Sequence, residues 1–180
     1  FLRRGGDRVT RVHEPGLGHG RDDGGFAAGH ANERGVRHPV GSEEQDLVYR
    51  EPASAMLPAP AAAPAPDALW REEVNPDSVL LFRYSALTFN GHRIHYDAPY
   101  VREVEGYPGL IVHGPLQASQ LVHLAERVRG RVPRTFDFRS LSTVFDTADY
   151  TLNATEDGDG LKLWTAQCGG PVAMEARATW

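Results

Sequence analysis

The chain has 180 residues, of which 41% are hydrophobic and 24% charged, and its formal net charge is -5 at pH 7. This is the composition of a globular protein with room for one or two domains, and its acidic balance excludes a general nucleic-acid binder, which must neutralise many phosphates. The single cysteine, Cys168, excludes an intrachain disulfide and favours a reducing compartment.

No apolar run is long enough to cross a bilayer, and Phe1-Leu2-Arg3-Arg4 lacks the apolar stretch of a signal peptide. No membrane association is therefore expected. The predicted location is the cytoplasm, or the mitochondrial matrix in a eukaryote. The chain begins without Met and ends at Trp180 inside an alternating pattern, as a piece of a longer protein would.

Residues 1–41 are rich in Gly, Arg, His and Asp and show neither a 3.6 nor a 2.0 period, so little regular structure is expected there. His13, His19, His30 and His38 lack the spacing of a metal site, with no cysteine partner and no i, i+4 pair, and no metal is predicted. Ser42 to Glu51 recovers pattern, with Leu47-Val48-Tyr49 as a short strand. Ala53 to Asp67 is a Pro/Ala tract, which blocks helix continuation and removes ladder donors, so it predicts an extended, semi-rigid linker.

A second unit begins near Ala68 to Pro76, and Asp77-Ser78-Val79-Leu80-Leu81-Phe82 predicts a capped turn leading into apolar structure. Pro99 to Val104 fits a short helix, ended by Gly106, Pro108 and Gly109. Pro115 suits the first helical position, and Leu116, Leu121, Leu124, Ala125 and Val128 follow at helical spacing up to Gly130, making Pro115–Val128 the principal helix.

Downstream, Tyr150, Leu152 and Ala154 alternate with polar residues, Asp157-Gly158-Asp159-Gly160 makes a turn, and Val172 to Trp180 alternates again. Three or four antiparallel strands after one apolar helix predict an α+β fold with the sheet wrapped on the helix. Cys168 falls in a turn or strand.

The richest stretch is Arg83-Tyr84-Ser85-Ala86-Leu87-Thr88-Phe89-Asn90-Gly91-His92-Arg93-Ile94-His95-Tyr96-Asp97, followed by Gly106-Tyr107-Pro108-Gly109-Leu110-Ile111-Val112-His113-Gly114-Pro115. It holds what addition of water to a conjugated thioester requires. His95 can accept and return a proton near neutrality, since an imidazole titrates at about 6.5. Asn90 can orient water through its carbonyl oxygen and NH2, though it cannot take a proton as a carboxylate would. Gly114 offers a backbone N–H at a helix N-terminus, unobstructed by a side chain, to a developing oxyanion.

Weaker candidates surround these three. Arg83 can meet an anionic substrate group or snorkel from a strand. Tyr84 and Tyr107 can line an acyl pocket or fill the core. Gly109 and His113 are substrate-side candidates, His113 being more often a packing residue at the start of the helix than a base. His92 is read as a solvated neighbour. Arg127, Arg129, Arg131 and Arg134 form a basic segment that suits coenzyme A phosphates or an acidic carrier surface, and equally a solvated helix end.

The two quoted runs, with Glu105 before the second and Leu116 after it, resemble the MaoC-like hotdog hydratase/dehydratase superfamily. The resemblance covers residues 77 to 180. It is strongest to the branch of type 2 hydroxyacyl-thioester dehydratases and mesaconyl-C4-CoA hydratase-like proteins.

It implies a hotdog fold, no metal or redox cofactor, and reversible hydration of enoyl thioesters or dehydration of 3-hydroxyacyl thioesters, carried on coenzyme A or acyl carrier protein. It also implies a homodimer or a pseudo-dimer of hotdogs. The superfamily pattern has a catalytic Asp five residues before a catalytic His, with Asn-Pro between them. This chain has Asn90 in the Asp place, keeps His95, and has His92-Arg93 where Asn-Pro would stand.

The superfamily's oxyanion donor carries over to Gly114. A substrate-supporting helix serine of some members falls near Val122 and is absent. Members of this branch pair a noncatalytic N-terminal hotdog with a catalytic C-terminal one, and Ser42 to Glu51 resembles the last strand of the first. Residues 1–52 are then a remnant of that repeat, largely irregular, as a truncated or frame-damaged segment would be, 53–67 the linker and 68–180 the catalytic hotdog. Two other functions are weighed against this one: a noncatalytic acyl-thioester-binding or scaffolding subunit, and a hotdog thioesterase, which usually carries a carboxylate on the central helix.

Overall fold

A computed structural model describes the backbone of four short N-terminal strands and the whole of residues 63–180. The N-terminal strands are β1 (Thr10–His13), β2 (Gly29–Ala31), β3 (Arg37–Pro39) and β4 (Ser42–Glu44). Then follow β5 (Trp70–Val74), α1 (Ser78–Leu87), a 3-10 turn (Arg93–His95), α2 (Ala98–Glu103), α3 (Gly114–Arg129), β6 (Thr135–Ser140), β7 (Tyr150–Asp157), β8 (Gly160–Gln167) and β9 (Val172–Thr179).

The core is α3 laid on an antiparallel sheet. Leu116, Ala118, Leu121, Leu124 and Ala125 recur at helical spacing and are buried together against Leu152, Ala154, Leu161, Leu163, Met174, Ala176 and Ala178 of the sheet. Pro115 opens the helix and Gly130 closes it in the left-handed conformation, at φ 71°, which an L side chain would resist. Tyr150, Leu152 and Ala154 of β7 are buried, and so are Thr151 and Asn153 between them, whose side chains donate to the Ala166 and Trp164 carbonyls at 3.1 and 3.2 Å.

The strand order is β4-β1-β6-β9-β8-β7-β5, all neighbours antiparallel, with β2 and β3 as a separate pair. Five strands from β5 to β9 wrap the helix as a hotdog. Strands β1 and β4 extend that sheet beyond β6.

Several expectations need correction. Residues 1–41 contain the strands β1, β2 and β3 where little regular structure was expected. Strand β1 pairs with β6 through backbone register, which leaves no periodic trace in the residues themselves. Asp77 begins a ten-residue helix rather than a capped turn: its carboxylate accepts from the Leu80 N–H at 2.7 Å, and the helix exposes Val79, Phe82 and Leu87 while burying Leu81 and Ser85. Arg83 therefore lies on a helix, not a strand.

The proposed strand Leu47-Val48-Tyr49 lies outside the described residues, as does most of the Pro/Ala tract. The described end of that tract has no regular structure, and its Ala65 N–H donates to the Gly170 carbonyl at 3.0 Å. Cys168 is exposed in the turn between β8 and β9. Among the described residues no helix is long and apolar enough to cross a membrane.

Candidate active site

Two stretches separated in sequence are stitched together at the N-terminal end of α3. The Ile111 N–H donates to the Ile94 carbonyl at 3.0 Å, and the Val112 N–H to the Val144 carbonyl at 2.9 Å. The segment carrying His113 and Gly114 is thus clamped between the 3-10 turn of His95 and the loop before β7.

His95 ends that turn and is 8% exposed. Its Nδ1 lies 2.7 Å from the Ile111 carbonyl oxygen. A carbonyl can only accept, so Nδ1 carries the hydrogen, and in the neutral ring Nε2 is left with a free lone pair. Burial lowers the pKa of His95; the Ile111 carbonyl opposes that shift and nearby His92, its ring centroid 5.7 Å away, adds to it. The base form is therefore the resting form at neutral pH.

His113 lies beneath it. The two rings stack with centroids 3.8 Å apart and planes 16° from parallel. His113 is 1% exposed, its Nε2 is 2.8 Å from Ser85 Oγ, and its Nδ1 is buried without a hydrogen-bond partner. The Tyr84 ring meets it edge-on at 4.8 Å. Burial, followed by repulsion from His95, brings its pKa down to about 4. His113 is buried at the start of α3, as a packing residue there would be, and it also stacks on His95.

Gly114 is the first residue of α3, so its N–H has no partner four residues back in the helix. A Cβ there would meet Ser140 Oγ at 3.5 Å and Met174 Cε at 3.9 Å, ordinary contacts, so packing does not by itself demand glycine.

Asn90 lies on the approach to the turn. Its backbone N–H donates to the Ser85 carbonyl at 2.9 Å, and its Oδ1 accepts from the His92 N–H at 3.0 Å. Phe89 before it adopts φ 53° and is 96% exposed. The amide thus holds the turn that presents His95. Its second carbonyl lone pair and its NH2 are what remain for other partners.

The other candidates separate. Tyr84 reaches the histidine pair. Arg83 is exposed on α1, and Tyr107 is half-buried beside Phe145, ring centroids 6.0 Å apart. At Gly109 a Cβ would lie 2.2 Å from Asp146 Oδ1, the atom that accepts from the Leu110 N–H, so glycine is required there for close approach of two loops. Arg127 pairs with Glu72 of β5 and Arg129 with Glu156 of β7, so half of the basic segment ties α3 to the sheet. Val122 is partly buried against the core.

The sequence does not single out Ser85 within its run. Its only signal is its position on a helix facing a histidine 28 residues away, and linear spacing does not report that. Among the described residues no group of three or more His, Cys, Asp or Glu could hold a metal ion.

The model of hydroxyacyl-thioester dehydratase type 2 matches residues 24–146. The chain belongs to that family. It is 50% identical over 137 residues to mesaconyl-C(4)-CoA hydratase of Chloroflexus aurantiacus, a match that covers 74% of this chain and 48% of that protein. It is 35% identical over 92 residues to the mitochondrial hydroxyacyl-thioester dehydratase type 2 of Schizosaccharomyces pombe, covering 49% of this chain and 30% of that one. The chain thus spans about half the length, or less, of these two relatives.

Among solved structures, a MaoC-like dehydratase from Phytophthora capsici superposes with a TM-score of 0.60 at 16% identity, covering 97% of this chain and 70% of that one. The (R)-hydratase from A. caviae gives 0.52 at 18% identity, covering 67% and 95%. These likenesses establish a hotdog fold in the C-terminal part of the chain.

Proposed function

We propose that the protein catalyses reversible addition of water to an enoyl thioester, giving the 3-hydroxyacyl thioester. The observation that carries this reading is the hydrogen bond from His95 Nδ1–H to the Ile111 carbonyl, which leaves the Nε2 lone pair of a buried imidazole bare near the head of α3. In the forward direction Nε2 takes a proton from water as the water oxygen bonds to the β carbon. The electron pair of the double bond moves to the thioester oxygen, where the Gly114 N–H stabilises the enolate. His95 then returns the proton to the α carbon, so one water is added and the imidazole is regenerated.

Asn90 orients the water, its own position set by the His92 N–H. Arg83, Tyr84, Tyr107, Gly109 and His113 remain the residues proposed for the substrate side, His113 acting from beneath His95 because it is 1% exposed. The chemistry needs no metal or redox cofactor, because acid–base transfer and oxyanion stabilisation suffice. The substrate is carried on coenzyme A or acyl carrier protein, and a mesaconyl-type C4 acyl group is suggested by the Chloroflexus relative. A cytoplasmic protein, or a matrix one in a eukaryote, that works as a homodimer or pseudo-dimer of hotdogs fits the family. The pairing of β1 and β4 onto the sheet supports residues 1–52 as the remnant of a noncatalytic repeat, joined by the 53–67 linker to the catalytic unit.

The thioesterase alternative is disfavoured by α3 itself: its first turn has no acidic residue, and Glu126 sits near its far end beside His123 at 3.5 Å. Purified protein incubated with crotonyl-CoA and mesaconyl-CoA decides the matter. Formation of the hydrated acyl thioester is expected. Release of free thiol would establish the thioesterase, and binding without turnover the noncatalytic subunit.

A further inference from the structure

We propose that His113 is a positioning residue for His95: anchored by Ser85, it lies as a neutral ring flat beneath the base and supports the imidazolium that forms when water is deprotonated. The inference rests on the hydratase reading above.

The geometry comes first. Centroids 3.8 Å apart and planes 16° from parallel make one stack of two imidazoles, and such a stack holds one positive charge far more readily than two. If His95 is to become a cation during turnover, its neighbour must stay neutral. A neutral aromatic ring then offers a π face to that cation.

Ser85 supplies the means. Its Oγ is 2.8 Å from His113 Nε2 inside the protein, while His113 Nδ1 has no partner. A neutral imidazole has one N–H, and a buried N–H without an acceptor is rarer than an unused lone pair. We therefore assign the hydrogen to Nε2, donating to Ser85 Oγ, and a bare lone pair to Nδ1. His113 then has the opposite tautomer to His95, whose hydrogen is on Nδ1 toward the Ile111 carbonyl.

The other titratable rings in contact with the pair are His92, 5.7 Å from His95, and Tyr84, edge-on to His113. Arg93, in the same turn, is engaged by Asp97 at 2.7 Å. The low pKa of His113 is what such an enclosure produces. Leucine or phenylalanine would fill the same space without leaving a buried nitrogen unpaired, so packing alone does not account for histidine at this position.

The test joins kinetics to NMR. Ser85→Ala is expected to lower kcat for crotonyl-CoA hydration about tenfold, roughly the worth of one lost hydrogen bond, with KM little changed and the acid limb of the pH profile displaced. Ser85→Thr, which keeps the hydroxyl, should restore both. Histidine ring 15N spectra should show the hydrogen on Nδ1 of His95 and on Nε2 of His113, with His113 still neutral where His95 has titrated.

The opposite tautomer at His113, or a Ser85→Ala protein with unchanged kcat and unchanged His95 titration, overturns the proposal. The spectra need no turnover. A wild-type protein inert toward every thioester would sink the hydratase reading, while the tautomers and the His95 titration in Ser85→Ala would still decide the pairing of the two rings.

Discussion

The helix–sheet interior and the histidine layer at the head of α3 are both buried, yet they are buried for opposite reasons. In the first, Leu121, Leu124, Leu161 and Leu163 leave water at a gain of about 25 cal/mol per Å2 of apolar surface. In the second, Ser85, His95 and His113 leave water at a cost that hydrogen bonds only partly offset, one ring nitrogen being left without a partner. Where a fold keeps a polar group buried at a loss, function is the first explanation to test.

The widest separation between the two regions should come from His95→Ala. It is expected to cost about 10²–10⁴ in turnover, the usual worth of a positioned acid–base group, while the thermal midpoint moves little. Asn90→Ala should cost less, because the amide transfers no proton, and Asn90→Asp should be tolerated, being similar in size and restoring the superfamily's usual acid. Steady-state rates of the three variants beside their melting curves check this; near-full activity in His95→Ala would make the imidazole structural and erase the distinction.

Leu121→Ala tests the other region. A fully buried leucine at the centre of α3 should lose roughly 2–5 kcal/mol of stability, read from denaturant unfolding, while the folded fraction keeps its rate per molecule. A specific loss of turnover at unchanged stability would show that the core and the site are not separable.

The smallest effect is one of pH. The folded-state pKa of His113 is about 4, below the ordinary value of 6.5, so the unfolded chain binds the extra proton first. Its neutral burial favours the folded state fully above pH 6.5, and that contribution is lost as pH falls toward 4. At about 1.4 kcal/mol per pH unit between 6.5 and about 4 the loss is roughly 3–4 kcal/mol. His113→Phe should flatten this part of the stability–pH curve, and an unchanged slope would mean that other groups set it.

The same contrast governs what could be read from the residues. Helix α3 was legible because burial on one face leaves a 3.6-residue period, and β7 and β9 because apolar and polar residues alternate along them, although in β7 both sets are buried. Helix α1 was not, since Val79, Leu80, Leu81 and Phe82 are apolar all round and show no stripe. Strand β5 is Trp-Arg-Glu-Glu-Val, and the charge of its middle residues hides a strand whose ends, Trp70 and Val74, pack against the core.

At the site, the motif delivers Asn90, His95 and Gly114 as candidates. It does not deliver the Ile111 carbonyl that sets the tautomer or the stack on His113, since backbone acceptors and ring geometry have no residue-type signature. Tertiary closure of the segment from Leu110 to His113 creates both.

Strand β5 has one more consequence. It ends the sheet order among the described strands, and an open rim of amides and carbonyls invites another chain to add a strand. Arg71 and Glu73 stand exposed along that rim, 3.7 Å from each other, while Glu72 turns the other way to Arg127 of the helix. Any lateral neighbour would have to strip water from those charges before its first ladder bond formed. The charged residues that keep β5 from reading as an apolar strand are therefore the ones that guard its rim against fibrous stacking.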